Sequence, residues 1–554
     1  MNLNRTTSKF AITSLIFLAT SFTGFSQQIP KLEKRGDATQ LIVDGKPYLV
    51  LGGELHNSSS SSLEYLDLLW KPLKAMNLNT VLASVSWQLI EPQEGKFDFS
   101  LVDGILKGAR EQNLRVILLW FGSWKNGLSH YAPDWVKVNY KRFPRIVLDN
   151  GRSSETISAL STEAANTDAK AFAGLMNYIK TADNKQRTVL MVQVENEVGI
   201  IGSTRDHSAM ANAAMLKPVP AELIKMVKEN TASTQSSLKQ HWETAGKKTS
   251  GNWIQIFGEN DFADEAFMAW SYARYINTVA AAGKAAYNIP MYVNAWIVQP
   301  EDKRPGDYPS GGPQSHMHDI WHVGATALDI LCPDIYLPDF KKIVNMYQHS
   351  WNPLFIPESF SGIDGAANAF YAIGKNNGIG YSPFGIDYKT DEPTKTPLAK
   401  AYEILSQLSP EILKAQSTGS ITAVSLNKSD SMQTLELGGY TLQTTLRKNW
   451  SGVTQADKGY CIIINSGKDE FIIAGADVDV NFVPASPGPK MAGLSSVYEG
   501  KYVNGIWKAG RLLNGDDIMV SYKLADEAAA NRTGTGARLN TDPTILKVKL
   551  YRYE

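Results

Sequence analysis

The feature that most constrains the fold is a series of eight short apolar runs that lack a helical period. They are Pro47–Gly52, Thr80–Ser84, Arg115–Phe121, Thr188–Val194, Met291–Ala295, Ile330–Ile335, Leu354–Pro357 and Ile379–Pro383. Runs of this kind read as strands buried on both faces. Helical patterns lie between and after them: Leu63–Lys74 with Pro72 inside it, Leu101–Gln112, Asp168–Lys180 and the Ala-rich Phe267–Tyr287. Thr396–Lys414 closes the series, with Leu398, Tyr402, Leu405, Leu408 and Ile412 at helical spacing. Strands that alternate with helices make a parallel sheet, and eight such units predict an α/β fold of the (β/α)8 TIM-barrel type with long loops.

After Ser417-Thr-Gly419 the texture changes. Ile421–Leu426, Thr434–Thr445, Tyr460–Asn465, Phe471–Ile473, Val478–Val483 and Ile545–Tyr553 read as strands set between Gly, Asn, Asp and Pro turns. That pattern predicts a C-terminal antiparallel β domain, sandwich-like. The expected division is a leader over residues 1–26, a barrel over 27–415 and the β domain over 416–554. The serine run Ser58–Ser62 is expected to cap the helix that follows it.

The length, 554 residues, exceeds one ordinary domain. The 55 basic and 55 acidic residues cancel and no polybasic stretch occurs, which argues against a nucleic-acid partner. Arg5 and Lys9 precede a mostly apolar Phe10–Phe22, and Gly24 and Ser26 suit cleavage after Ser26. This reads as a secretory signal, so the chain is expected to be exported, periplasmic or extracellular. No other segment is long and apolar enough to insert in a membrane. Cys332 and Cys461 are read as buried small hydrophobes, a disulfide being the lesser reading.

Two of the eight runs end in a carboxylate: Met191-Val-Gln-Val-Glu-Asn-Glu197 after strand four and Leu354-Phe-Ile-Pro-Glu358 after strand seven. The C-terminal ends of barrel strands are where this fold carries chemistry. Two Glu residues so placed supply the proton donor and the nucleophile that glycosidic bond cleavage needs. Asn196 can donate a hydrogen bond to a sugar hydroxyl beside the reacting carbon. Other strand ends carry groups suited to sugars: Glu54, Trp87, Trp124, Asn126, Asn294, Trp296, Tyr336 and Tyr381. Each alone is an ordinary core or loop residue; together they suggest a carbohydrate cleft. His318 and His322 would share a helix face near His316, an arrangement a metal can use. They are read instead as a polar cluster at a helix start, because a two-carboxylate hydrolysis needs neither metal nor cofactor.

The motifs resemble a known family. Trp87-Gln-Leu-Ile-Glu91-Pro92-Gln-Glu-Gly95-Lys-Phe97-Asp98-Phe99 is similar to a signature of barrel β-galactosidases, and Gln193-Val-Glu195-Asn196-Glu197-Val-Gly199 resembles the acid/base motif of glycoside hydrolase family 35. The stretch from Phe267 to Trp296 is similar to a bacterial subgroup with an uncharacterised C-terminal β domain. The resemblance implies retaining exo-hydrolysis of terminal β-D-galactosyl residues of oligosaccharides or plant-type glycans. It makes Glu197 the acid/base, Glu358 the nucleophile and Tyr336 the hydroxyl that hydrogen-bonds the nucleophile. Typical members carry Cys-Ala-Glu-Trp after strand three, its Glu holding galactose; here Gly122-Ser-Trp-Lys-Asn126 stands in that place. The alternatives are therefore another clan A β-glycosidase (a family 42-like galactosidase, β-glucosidase, β-mannosidase or endo-glycanase) or a catalytically dead carbohydrate-binding barrel.

Overall fold

The structure is a computed structural model that describes residues 28–229, 237–388, 392–448, 453–454, 456–518 and 535–554. The predicted leader, residues 1–26, lies outside the described residues. Eight parallel strands form a closed ring: β1 (Val50–Leu51), β2 (Thr80–Ser86), β3 (Arg115–Lys125), β4 (Val189–Asn196), β5 (Met291–Trp296), β6 (Ile330–Ile335), β7 (Glu358–Ser359) and β8 (Gly380–Tyr381). Strands β2 to β7 pair in chain order and β8 pairs with β1. Parallel bridges from Glu54 to Leu82 and to Phe384, and from Ile356 to Tyr381, close the two gaps. Seven of the eight predicted runs contain a barrel strand; the other, Leu354–Pro357, contributes only the Ile356 bridge, and β7 forms just after it and includes Glu358. Pro47-Tyr48 joins a small antiparallel sheet with Lys31–Arg35 and Ala38–Val43.

Both faces of the ring are apolar, which is why its strands show no alternation. Val50, Leu82, Ile117, Leu119, Phe121, Tyr292, Ile330, Cys332 and Phe355 cluster inside it. Val81, Ala83, Val116, Leu118, Trp120, Val192, Val194 and Val293 face the surrounding helices. Four helices matter below: α1 (Thr162–Ala182), α2 (Asp261–Ala286), α3 (Gly362–Lys375) and α4 (Pro397–Thr418). Helix α1 starts six residues before its apolar pattern suggests, because Ser161 accepts from the Ala164 amide and fixes an earlier N-terminus. Asp168 is thereby placed inside a helix and fully buried. The predicted helix over Leu63–Lys74 is two short pieces, Leu63–Asp67 and Trp70–Ala75. Ser62 caps the first piece, and Pro72 falls in the first turn of the second, where its missing N–H costs no bond.

The C-terminal strands are β9 (Ile421–Asn427), β10 (Met432–Leu437), β11 (Tyr440–Leu446), β12 (Lys458–Gly467), β13 (Glu470–Ala476), β14 (Val478–Pro484), β15 (Met491–Val503), β16 (Ile506–Leu513), β17 (Thr535–Arg538) and β18 (Thr544–Tyr553). They form a six-stranded sheet, β9-β12-β13-β18-β15-β16, and a four-stranded sheet, β10-β11-β14-β17, both antiparallel. The single strand expected over Thr434–Thr445 is the hairpin β10–β11. It turns at Gly438-Gly439, both at positive φ (60° and 82°), a conformation that suits a tight hairpin and glycine. Strand β12 explains its own sequence. Cys461 and Ile463 meet the four-stranded sheet, while Tyr460, Ile462 and Ile464 meet the barrel helices, so no residue of that run can be polar. The ring of Phe370 in α3 packs 4.8 Å from that of Tyr460. Both cysteines are buried and free. Among the described residues no helix is long and apolar enough to cross a membrane.

Candidate active site

Glu197 directly follows β4, and Glu358 opens β7. Their carboxylates meet at the barrel mouth together with that of Asp334 in β6: one oxygen from each of the three lies within 4.8 Å of the others. Glu197 and Glu358 are each only 6 % exposed. The backbone turns sharply to deliver the first of them. Glu195 and Glu197 both have positive φ (62° and 46°), a costly conformation for residues with a long side chain. Asn294 of β5 fastens this turn. Its Oδ1 accepts from the Glu197 amide at 3.0 Å, and its Nδ2 donates to Asp334 Oδ2 at 2.7 Å. The Tyr336 hydroxyl donates to Glu358 Oε1 at 2.8 Å. Glu54, just past β1, is buried with neither carboxyl oxygen hydrogen-bonded within the protein.

So many acids in a dry site cannot all be ionised. Burial pushes Glu197 up to about 7, and the charge of Glu358 adds to the rise; the Lys125 ammonium and a hydrogen bond with Asp334 act the other way. Glu54 and Asp334 are held well above the usual carboxylate range by burial first and Glu358 second. Glu358 is raised by burial too, but Lys125 and the Tyr336 hydroxyl hold it down. Glu358 is therefore the group that loses its proton first, and Glu197 keeps one near neutrality. Glu197, Asp334 and Glu358 are also the one acidic cluster among the described residues tight enough to hold a metal ion by distance. The Lys125 charge already acts on two of those three.

Of the residues picked from strand ends, the structure brings together Glu54, Asn196, Glu197, Asn294, Tyr336 and Glu358. Asn196 is fully buried, and no protein group hydrogen-bonds its side-chain amide. Trp296 pairs in register with Asp334 and is partly exposed beside it. Asn126 stands at the end of β3, its amide donating to the Asn196 carbonyl at 3.2 Å. Three residues lie elsewhere. Trp124 points between barrel and helices, donates to the Ile157 carbonyl at 3.1 Å and packs on Tyr272 and Tyr275 of α2. Tyr381 spends its hydroxyl on the Phe360 carbonyl at 2.7 Å and sits in the same outer layer. Trp87 donates to Glu91 Oε2 at 2.8 Å, while Glu91 Oε1 accepts from the Gly95 amide. The Trp87…Glu91…Gly95 motif is thus a self-contained loop lock. Lys125 and Asp334 lie within the same strand ends but were not picked as site residues; only their facing singles them out. The three histidines do not converge either: His318 hydrogen-bonds His349, His322 stacks on Trp351 and His316 pairs with Glu265.

Comparison with known proteins covers part of the barrel, a stretch that holds Lys125 and Glu197 but not Glu358. Residues 65–270 match a sequence model described as β-galactosidase, that of glycoside hydrolase family 42, and residues 398–524 match a domain of unknown function. A β-galactosidase of Xanthomonas manihotis is 35 % identical over 190 residues, which is 32 % of this chain and 28 % of that protein. This stretch of the barrel is β-galactosidase-like. A human β-galactosidase-1-like protein 3 is 30 % identical over 191 residues, 33 % of this chain and 26 % of its own. The chain thus spans about a quarter of the length of these curated relatives. Among solved structures, the β-galactosidase of Bacillus circulans sp. alkalophilus aligns with a TM-score of 0.45 at 15 % identity, over 66 % of this chain and 57 % of that one.

Proposed function

We propose that the chain is a retaining exo-glycosidase that releases terminal β-D-galactosyl residues from oligosaccharides or plant-type glycans. The observation that carries this reading is that a carboxylate oxygen of Glu197 and one of Glu358 lie within 4.8 Å of each other at the barrel mouth, too close for the wider spacing of an inverting pair to be the simpler reading. Retention wants the two carboxyl groups about 5–5.5 Å apart, and inversion about 6.5–9.5 Å to admit a water. In the first step the Glu358 carboxylate attacks the anomeric carbon while the Glu197 proton passes to the glycosidic oxygen, and the aglycone leaves as an alcohol. In the second, Glu197, now a carboxylate, takes a proton from water; the hydroxide displaces Glu358 and frees the sugar with its original anomeric configuration. The raised Glu197 and the lower Glu358 suit these two roles. Asn294 orients the Glu197 turn, Tyr336 steadies the nucleophile, and the carboxyl of Glu54, with neither oxygen hydrogen-bonded within the protein, can bond to sugar hydroxyls.

The β-galactosidase likeness supports galactose as the sugar, within family 35 by its motifs or family 42 by its matched model. The apolar leader supports export. A second reading, hydrolysis of another β-glycoside, is favoured by one observation: Lys125 and its neighbours stand where the resemblance places a galactose-binding Glu. A panel of nitrophenyl β-glycosides separates them. The β-galactoside should be turned over with the highest kcat/KM; preference for the glucoside or mannoside would move the assignment. No turnover on any member would leave a binding barrel.

A further inference from the structure

A second pair of acids lies behind the cleft, and the hydrolysis does not use it directly. Asp168 of α1 and Glu195 of β4 are fully buried, and their carboxyls meet at the Ser123 amide, which donates to both at 3.2 Å, side by side where a hydrogen bond between them follows. Such a bond requires that one of them carry a proton. The surrounding donors assign it. Asp168 accepts from the Trp120 indole at 2.9 Å, the Ser123 hydroxyl at 2.6 Å and the Ser123 amide at 3.2 Å. Glu195 accepts from the Trp124 amide at 2.7 Å and the Ser123 amide at 3.2 Å. The Tyr275 hydroxyl, 2.7 Å from Ser123 Oγ, lies behind them. The anion with the fuller set of donors is Asp168, so Glu195 is the protonated partner. Burial, then the Asp168 charge, raises Glu195 well above the usual range, in line with that assignment.

These acceptors hold one piece of backbone. Between the pairs Trp120↔Val194 and Lys125↔Asn196, β3 advances five residues while β4 advances two. The excess makes a bulge, a device that re-aims side chains beside functional sites. Gly122 lies in it, and a Cβ there would run into the Trp120 indole and both carboxyls, so the pair needs this glycine. Past the bulge Lys125 returns to the barrel mouth, its ammonium 5.3 Å from the Phe121 ring centre.

We propose that the Asp168–Glu195 pair is a positioning unit: it pins the β3 bulge through the Ser123 and Trp124 amides and so holds the buried Lys125 ammonium over the Phe121 ring at the barrel mouth, within electrostatic reach of the cleft carboxylates, where it sets the pH window of turnover. The proposal rests on the glycosidase reading above. Glu358 is faced by Glu54 after β1, Lys125 of β3, Glu197 after β4, Tyr292 of β5, Asp334 of β6 and Tyr336 after it. Lys125 is the cation of that set. It favours the ionised form of both Glu197 and Glu358, so losing it raises both. The nucleophile then ionises at higher pH and the acid keeps its proton to higher pH; both limbs of the bell move up.

The test is kcat/KM against pH on a nitrophenyl β-glycoside for wild type and three variants. Lys125→Met should move both limbs to higher pH by about 1 unit, the low end for a charge at this range. Glu195→Gln keeps a neutral hydrogen-bonding group beside Asp168 and should leave the limbs in place. Asp168→Asn removes the anion that gathers the donors and should move the limbs in the direction of Lys125→Met. Limbs unmoved in Lys125→Met, or lowered kcat with unmoved limbs in Asp168→Asn, would show a merely structural pair and overturn the proposal. If wild type turns over no glycoside, the hydrolytic reading fails separately. A crystal structure of Asp168→Asn then decides: Lys125 displaced from Glu358 supports positioning, and Lys125 in its wild-type place refutes it.

Discussion

At the scale of single residues, the division of labour follows from one magnitude. Two carboxylate charges about 5 Å apart repel by about 3 kcal/mol at the effective dielectric of a protein site, and Glu197 and Glu358 bring an oxygen each within 4.8 Å of the other. That is roughly two units of pH in a protonation equilibrium, so one of the pair keeps its proton near neutrality. The Tyr336 hydroxyl, which hydrogen-bonds Glu358 and not Glu197, helps decide that it is Glu197. Glu358→Ala should therefore abolish turnover on every glycoside, since no covalent intermediate can form. Glu197→Ala should lose about 10²–10⁴-fold on substrates with poor leaving groups, keep activity on nitrophenyl substrates and be partly rescued by azide. Equal, unrescued loss in both would contradict the assignment. Stability carries a second signature. Glu54 and Asp334 stay protonated in the fold at pH values where the unfolded chain has ionised them. The folded state binds more protons there, so these groups cost stability as pH rises above the unfolded value. Glu54→Gln and Asp334→Asn should raise Tm near pH 7 and leave it unchanged below about pH 4, where both states are protonated. A Tm gain that grew toward low pH would contradict the sign.

At the scale of elements, what was legible depended on how many faces an element buries. Seven of the eight barrel strands could be read because burial on both faces leaves unbroken apolar runs, and the run Leu354–Pro357 led directly into the eighth, β7. The same property hid which residues face inward: nothing in Trp124-Lys125 says that the tryptophan packs against α2 and the lysine enters the cleft. The left-handed turns at Glu195 and Glu197 are equally silent, because neither is a glycine. Asp168 gave no signal, since its partners arrive from β3 and β4. In the β domain, β15, β16 and β17 were missed; the exposed Ile506–Leu513 strand carries too little apolar pattern to register. The β3 bulge makes its own prediction. Gly122→Ala has no space for its methyl and should lower stability by about 1–3 kcal/mol through overpacking, with turnover falling alongside. A wild-type Tm in that variant, measured by thermal unfolding, would mean the bulge relaxes freely.

At the scale of the whole molecule, the barrel and the β domain share a core. The six-stranded sheet lays Ala423, Tyr460, Ile462 and Ile545 into the cluster that holds α3 and α4. Ending the chain after Ser417 should expose that face and leave a protein of lower solubility and Tm, with the Glu197–Glu358 geometry as its remaining source of activity. A truncated barrel as stable as the full chain but wholly inactive would instead mean that the β domain completes the cleft. The central claim, that Glu358 forms a covalent bond to the sugar while Glu197 moves the proton, has one direct test. Full-length protein is incubated with 2-deoxy-2-fluoro-β-D-galactosyl fluoride, and the intact mass and its peptides are read by mass spectrometry. The account predicts a single fluorosugar bound to the peptide that contains Glu358, at Glu358 itself. An adduct on another carboxyl, or turnover of galactosides without any adduct and with the α-anomer formed first, would contradict it.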